Sequence, residues 1–334
     1  EKKHELNIGA DLGFLDNRIN LTVDWYKRDN FDLIGRVMTQ GIGGQIQKYG
    51  NVATMKSRGI EFSLSTKNIK TKDFSWTTDF IYSHMKNEVT KFNTSTRAFN
   101  LVSGIGFSRE GYPVNSLFSY DFRGLNEDGV PTFINEAGVL TSTDINFQET
   151  ERFDNLVYSG PSEPTDVGSF GNIFQYKGLR LNVFITYSFG NVVRLDPVFS
   201  SIYNDLDAMP REFRNRWMTP GDERYTDVPA IVSSRQVRND SKLSYAYNAY
   251  NYSTARIAKG DFIRMKEISL TYDFPKRWIK KLRMSNLALK IQATNLFLIY
   301  ADKKLNGQDP EFFNSGGVAT PVPKQFTLTL KIGL

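Results

Sequence analysis

The stretch that most constrains this chain is its last, Lys324-Gln-Phe-Thr-Leu-Thr-Leu-Lys-Ile-Gly-Leu334. Phe326, Leu328, Leu330, Ile332 and Leu334 fall on one face, and Thr327, Thr329, Lys331 and Gly333 on the other. A period of two is that of a β-strand, and a strand so divided needs an apolar medium on one side and water on the other. A half-buried strand of a soluble sandwich meets that need as well as a membrane does. Repetition along the chain separates the two.

The opening residues carry the same pattern, with Leu6, Ile8, Ala10, Leu12 and Phe14 opposite Glu5, Asn7, Gly9, Asp11 and Gly13. Asp16-Asn17 marks a tight turn, after which Ile19, Leu21, Val23 and Trp25 alternate with Arg18, Asn20, Thr22 and Asp24. Residues 35 to 57 are Gly-rich and aperiodic and read as a loop; no Lys-Ser/Thr follows the glycines, as a phosphate cradle requires. Ser57 to Ser65 predicts the next strand, Asn68 to Asp73 a turn, and Phe74, Trp76, Phe80 and Tyr82 another strand. If short turns occupy one end of a sheet and long loops the other, a return strand falls near 97 to 110, followed by one over Val114 to Arg123. Residues 125 to 168 read as a loop. Gly168 to Tyr176, the turn Lys177-Gly178 and Leu179 to Phe189 form the clearest hairpin, in which only Phe184 interrupts the polar face.

Gly190 to Arg256 reads as one long loop, ordinary outside a membrane barrel and foreign to a compact soluble domain. In 257 to 274 the apolar parity slips between Met265 and Ile268, which predicts a β-bulge near Lys266-Glu267. A basic turn over Pro275 to Arg283, a strand carrying Leu287, Leu289, Ile291 and Ala293, and a loop through Asp309-Pro310-Glu311 lead to the final strand. The reading gives about eleven antiparallel strands, each meeting the ~9 to 11 residues a tilted transmembrane strand needs. Trp25, Trp76, Tyr82, Tyr187, Tyr272, Phe274 and Trp278 lie near strand ends, where aromatic girdles form. An odd strand count does not close a bacterial single-chain barrel. The fold class is therefore all-β, an antiparallel transmembrane β-barrel of which residues 1–334 are a part.

Composition agrees. No run approaches the ~18 apolar residues of a spanning helix. Cysteine is absent, which excludes disulfides and thiolate metal sites. The net charge of +6 is dispersed, against a nucleic-acid surface. His4 and His84 are the only histidines and share no metal-binding spacing. No metal, cofactor or catalytic constellation is predicted, and carboxylate pairs such as Glu149 and Glu151 lie in loops.

Seven short motifs then occur in order: Arg58-Gly-Ile-Glu-Phe62, Glu110-Gly-Tyr-Pro-Val114, the block Gly168 to Gly190, Arg216-Trp-Met-Thr-Pro-Gly-Asp222, Gly260 to Tyr272, Ala293-Thr-Asn-Leu-Phe297 and Gln308-Asp-Pro-Glu311. In this order they resemble the C-terminal half of the SusC/RagA family of TonB-dependent outer-membrane transporters. The chain departs from the family pattern in ending on Leu334 rather than an aromatic. The resemblance implies a barrel of about 22 strands, with a plug domain, a TonB box and the N-terminal strands supplied outside residues 1–334. It implies energised import of a glycan or peptide across the bacterial outer membrane, with a SusD-like lipoprotein lid and the TonB complex as partners. A passive porin-like barrel and a soluble β-sandwich binding module are the alternatives.

Within that frame Arg18, Asp24, Glu61, Arg180 and Lys290 are expected on the lumen wall. Tyr245, Tyr247, Tyr250, Tyr252 and Trp217 are candidate substrate or lid contacts, since aromatic rings give rigid amphipathic area. The alternative is one more strand or loop whose tyrosines pack. Phe326, Leu328, Leu330, Ile332 and Leu334 are the candidate barrel-assembly strand.

Overall fold

The computed structural model describes the chain except for residues 40, 42, 45, 95, 104–105, 199–210, 282–283, 314–320, 322 and 334. Leu334 therefore lies outside the described residues. Four long strands open the chain, β1 (Lys2–Phe14), β2 (Ile19–Met38), β3 (Gln47–Lys70) and β4 (Phe74–Phe92). Helix α1 (Ala98–Val102) follows, then the short strands β5 (Ser116–Tyr120), β6 (Phe122–Leu125), β7 (Pro131–Ile134), β8 (Leu140–Thr141) and β9 (Leu156–Pro161). A hairpin of β10 (Asp166–Tyr176) and β11 (Leu179–Phe189) precedes β12 (Val192–Arg194), helices α2 (Ser234–Asn239) and α3 (Leu243–Asn251), and β13 (Ile257–Lys259). The chain closes with β14 (Phe262–Asp273), α4 (Lys276–Lys281), β15 (Asn286–Ala301) and β16 (Gln325–Gly333).

Nine of these form one antiparallel sheet in the order β1-β2-β3-β4-β10-β11-β14-β15-β16. The sheet is open, with β1 and β16 as its edges. Its turn end carries residues 15–18, 71–73, 177–178 and 274–285, and its loop end the connections 39–46, 93–165, 190–261 and 302–324. Leu15, Asp16 and Asn17 all take positive φ in the first turn, a conformation that short polar residues tolerate best.

The count is nine, not eleven, because two expected strands are absent from the sheet. Residues 97 to 110 hold α1 and irregular backbone, with a single bridge from Phe107 to Ser116. Residues 114 to 123 hold β5 and the start of β6; β5 pairs with β9 outside the sheet and is buried at all five positions. A wall strand has one wet face, and β5 has none. With both removed, β4 pairs directly with β10, and no return strand is needed.

The 35 to 57 loop is also shorter than expected, since β2 and β3 pair out to Met38 and Gln47. At about 3.3 Å per residue, strands of 20 and 24 residues outrun a membrane. Their far ends run past the lipid, where no face has to be apolar, and the alternation fades there. The basic turn after β14 contains the short helix α4.

The bulge lies where the parity slip placed it. Register shifts between Met265 and Glu267, leaving Lys266 as the extra residue, so that Ile263 and Met265 share a face with Ile268, Leu270 and Tyr272. Phe184, the exception on the polar face, stands opposite Gly171. Phe184 Cδ2 would lie 3.4 Å from a Cβ at Gly171, so the ring rests directly over this glycine.

Candidate functional site

The sheet has two chemically distinct faces. The outward one carries Ile8, Trp25, Ile60, Phe170, Leu270, Ile291 and the row Phe326, Leu328, Leu330 and Ile332, all exposed. Aromatic rings gather at both ends of this band. At the turn end Trp76 stacks on Phe174 at 5.6 Å, and Phe274 lies between Tyr272 at 4.9 Å and Trp278 at 5.9 Å. At the loop end Tyr187 stacks on Phe80 and contacts Phe189. The Tyr187 hydroxyl crosses Gly168 to donate to the Ile81 carbonyl at 2.9 Å, a path that a Cβ at Gly168 would obstruct. One polar residue inside the band, Asn172, is satisfied locally: its Oδ1 accepts from Trp76 Nε1 at 2.9 Å and Thr78 Oγ1 at 2.8 Å. This is the surface a lipid bilayer requires, apolar with interfacial aromatic belts.

The inward face is polar. Asp24 stands opposite Glu61, and Arg180 and Lys290 flank Thr271 in one cross-strand row, as expected of a lumen wall. Arg18 departs from that expectation; it lies in the first turn and donates to the Lys67 and Asn68 carbonyls at 3.2 Å each. Glu267, beside the bulge, accepts from Asn182 at 3.2 Å and Gln292 at 3.0 Å, with Lys290 Nζ at 3.8 Å. The bulge thus aims a carboxylate into the lumen wall, a role for bulges that alternation alone does not reveal.

At the loop end the connections build a packed body. Its core joins Leu101 and Val102 of α1, Phe118 and Tyr120 of β5, Phe133 of β7, Leu156 of β9 and Tyr250 of α3. The tyrosine run is a helix because Ala246, Tyr247, Ala249 and Tyr250 repeat at three- and four-residue spacing on one side. Tyr247 and Tyr250 are only 1% and 2% exposed and serve this core, so they are not available as contacts. Tyr247 donates to the Ala230 carbonyl at 2.9 Å. Tyr252 is half-buried, with its ring 6.0 Å from Phe99 and 5.7 Å from the Arg194 guanidinium. Of the four tyrosines Tyr245 alone presents its ring outward, 46% exposed beside Phe147.

Trp217 is also engaged. Its ring lies against Gly129, which takes φ +72° in the turn between β6 and β7, where a Cβ would collide with the indole. Its Nε1 donates to Glu223 at 3.2 Å, and Asp222 Oδ2 accepts from the Met218 and Thr219 amides at 3.0 Å. These amide donors hold the Asp222 carboxyl below its ordinary value. The exposed large hydrophobic groups of this segment are Met218 and Tyr225, the latter 88% exposed, and neither stood out by sequence spacing.

Three buried arginines fasten the loops. Arg264 on β14 donates to Asp309, with Glu311 Oε2 at 3.2 Å from its Nε. Arg256 pairs with Glu212 and donates to the Asp196 carbonyl at 2.5 Å. Arg194 donates to the Phe118 carbonyl at 2.7 Å and to Ser119 Oγ at 3.3 Å, with no carboxylate partner among the described residues, and burial pushes its pKa down to about 10. Sequence spacing could not find these residues, because their partners lie between 44 and 76 positions away. Among the described residues no group of acidic or histidine side chains could hold a metal ion.

A two-faced sheet with a packed body at one end describes a family of walls, and comparison with known proteins decides which. The chain is 26% identical over 329 residues to TonB-dependent receptor P3 of Formosa agariphila, covering 93% of this chain and 30% of that protein. It is 26% identical over 351 residues to TonB-dependent receptor SusC of Bacteroides thetaiotaomicron, covering all of this chain and 32% of that protein. The chain is a homologue of the SusC-type TonB-dependent receptors. No family model matches it. The SusC-like chain spans about a third of the length of these relatives. Its fold is that of the RagAB peptide transporter structure, with a TM-score of 0.77 at 24% identity over 99% of this chain and 35% of that one. The nine-stranded sheet is accordingly part of an outer-membrane β-barrel wall, with its apolar face toward lipid, and its relatives are receptors rather than enzymes.

Proposed function

We propose that this chain is the C-terminal half of the barrel of a TonB-dependent importer of nutrient oligomers, glycans or peptides. The observation that carries the reading is the union of a lipid-facing and a polar face on one sheet with a body of packed loops at a single end. Short turns lie periplasmic and long loops extracellular in such barrels, which puts the loop body outside the cell. The remaining strands pair with the free edges of β1 and β16, and a plug from outside residues 1–334 rests on the polar wall that includes Asp24, Glu61 and Glu267. The plug portion carries the contact with the TonB complex. A SusD-like lipoprotein closes over the loop body, where Tyr245, Met218 and Tyr225 offer exposed apolar and aromatic area. The RagAB peptide transporter, whose fold this chain shares, carries peptides by name, which supports a peptide among these cargoes. The row Phe326 to Ile332 on edge strand β16 serves barrel assembly.

Uptake by cells that carry the full-length receptor tests the reading. Accumulation of a labelled glycan or peptide that stops when TonB is removed, with no steady conductance of the purified receptor in planar bilayers, is the expected outcome. Steady conductance with uptake indifferent to TonB would make the protein a passive porin.

A further inference from the structure

Lys27 on β2, Arg58 on β3 and Lys86 on β4 stand directly opposite one another across three neighbouring strands. Strands lie about 4.8 Å apart, so three cations fall within about 10 Å. All three are exposed. Their parity is that of the outward face: two residues nearer the turn end on the same strands are Trp25, Ile60 and His84, and two further are Val23, Phe62 and Tyr82. The row is thus the first above the apolar band at the loop end. Like charges directly opposite destabilise a sheet, yet none of the three forms an ion pair among the described residues. The next row outward, Asp29, Lys56 and Glu88, alternates in sign instead of stacking like charges. Three like charges thus stand side by side in one row at the loop-end border of the apolar band. Lys27, Lys56, Arg58 and Lys86 also border one cavity of about 570 Å³, against the carboxylates of Glu88 and Glu163.

We propose that Lys27, Arg58 and Lys86 bind the phosphate groups of a lipid in the outer leaflet. The proposal rests on the outer-membrane reading of the sheet. An anionic headgroup supplies the row with the ion-pair partner that it lacks among the described residues, and acyl chains beneath it lie on Trp25, Ile60 and Phe62. Phosphate shared among guanidinium and ammonium groups is a strong, charge-assisted contact, and juxtamembrane basic clusters select anionic lipid.

The test uses the full-length receptor extracted from outer membranes in detergent, as wild type, as K27Q/R58Q/K86Q, and as K67Q/K70Q at the turn end. Native mass spectrometry counts retained phosphorylated lipid. Retention by wild type and K67Q/K70Q, with occupancy in the triple variant reduced on the order of ten-fold or more, is expected. Equal retention in the triple variant would overturn the proposal. In lipid-free detergent the triple variant should melt no lower than wild type, because repulsion has been removed; a lower Tm would make the row structural and overturn it too. Titration of lipid-stripped protein with inorganic phosphate distinguishes the source: saturation as tight as with phospholipid-containing vesicles would assign the row to a soluble anion instead. Recovery of the wild type folded without detergent would instead sink the outer-membrane reading itself, before any lipid is measured.

Discussion

Arg264 and Asp309 form a buried ion pair between a wall strand and the last long loop. Each belongs to one of the short motifs visible in the sequence, Gly260 to Tyr272 and Gln308 to Glu311, 45 positions apart. Asp309 also caps the 3₁₀ turn Pro310–Phe312 by accepting from the Glu311 amide at 3.1 Å. One carboxylate therefore shapes its own loop and fixes it to the wall. Removing one partner of a buried pair strands the other charge, which costs about 3–5 kcal/mol, whereas replacing both with apolar groups is often neutral. Arg264→Met or Asp309→Leu alone is expected to expose residues 302–313 to protease, and the double variant to be less sensitive than either. Limited proteolysis of the detergent-extracted receptor reads this directly, and a double variant as sensitive as the singles would refute it.

Much of the wall was legible because its physics is local. The β10–β11 hairpin keeps period two to its ends, and the slip at Lys266 announced its own bulge. Errors arose where the medium changes. Beyond the membrane β2 and β3 no longer face lipid on one side, so their alternation fades and their ends look like loop. Strand β5 is buried on both faces and carries no mark that separates it from a wall strand. The helical run over Leu243–Asn251 is rich in Tyr and Asn, residues of modest helix propensity, and its three- and four-residue spacing becomes decisive only against the core it packs on. The arginine fasteners depend on partners brought together by the fold alone.

The two faces of β11 give a second prediction. Ile185 stands near mid-strand opposite Phe170, on the lipid side, while its neighbour Thr186 points to the lumen. Arginine on the lipid face near the midplane costs about 2–4 kcal/mol, and much less on the lumen side. Ile185→Arg should reduce the folded fraction recovered in the outer membrane, and Thr186→Arg should leave it near wild type. Equal losses would mean that the face assignment is wrong.

The tyrosines of α3 divide by burial. Tyr247→Ala and Tyr250→Ala remove fully packed rings, a loss of about 3–5 kcal/mol for large aromatics. Tyr245→Ala should stay within about 0.5 kcal/mol, as exposed surface changes do. Thermal melts of the three variants separate them. If Tyr245→Ala weakens lid or cargo binding while its Tm holds, the ring is a contact; if Tyr247→Ala melts like wild type, the packing described for α3 fails.

The Trp217–Asp222 turn should open in acid. Asp222 is held below its ordinary 3.8 by the Thr219 and Met218 amides. Glu223 is held below 4.5 by backbone amide donors, the Gly221 amide among them, and by the Trp217 indole. A carboxyl whose folded pKa is depressed contributes stability fully above its unfolded pKa and loses it as pH falls through the folded value. The turn should therefore be indifferent to pH from neutrality down to about 5 and loosen only below about 4. Trp217 reports the change through its Nε1 bond to Glu223, isolated as the fluorescence difference between wild type and Trp217→Phe. Asp222→Asn should remove part of the acid transition by weakening the turn at neutral pH, since a neutral amide oxygen accepts less strongly than a carboxylate. A transition centred near neutrality, or one unchanged in Asp222→Asn, would show that other groups hold this turn.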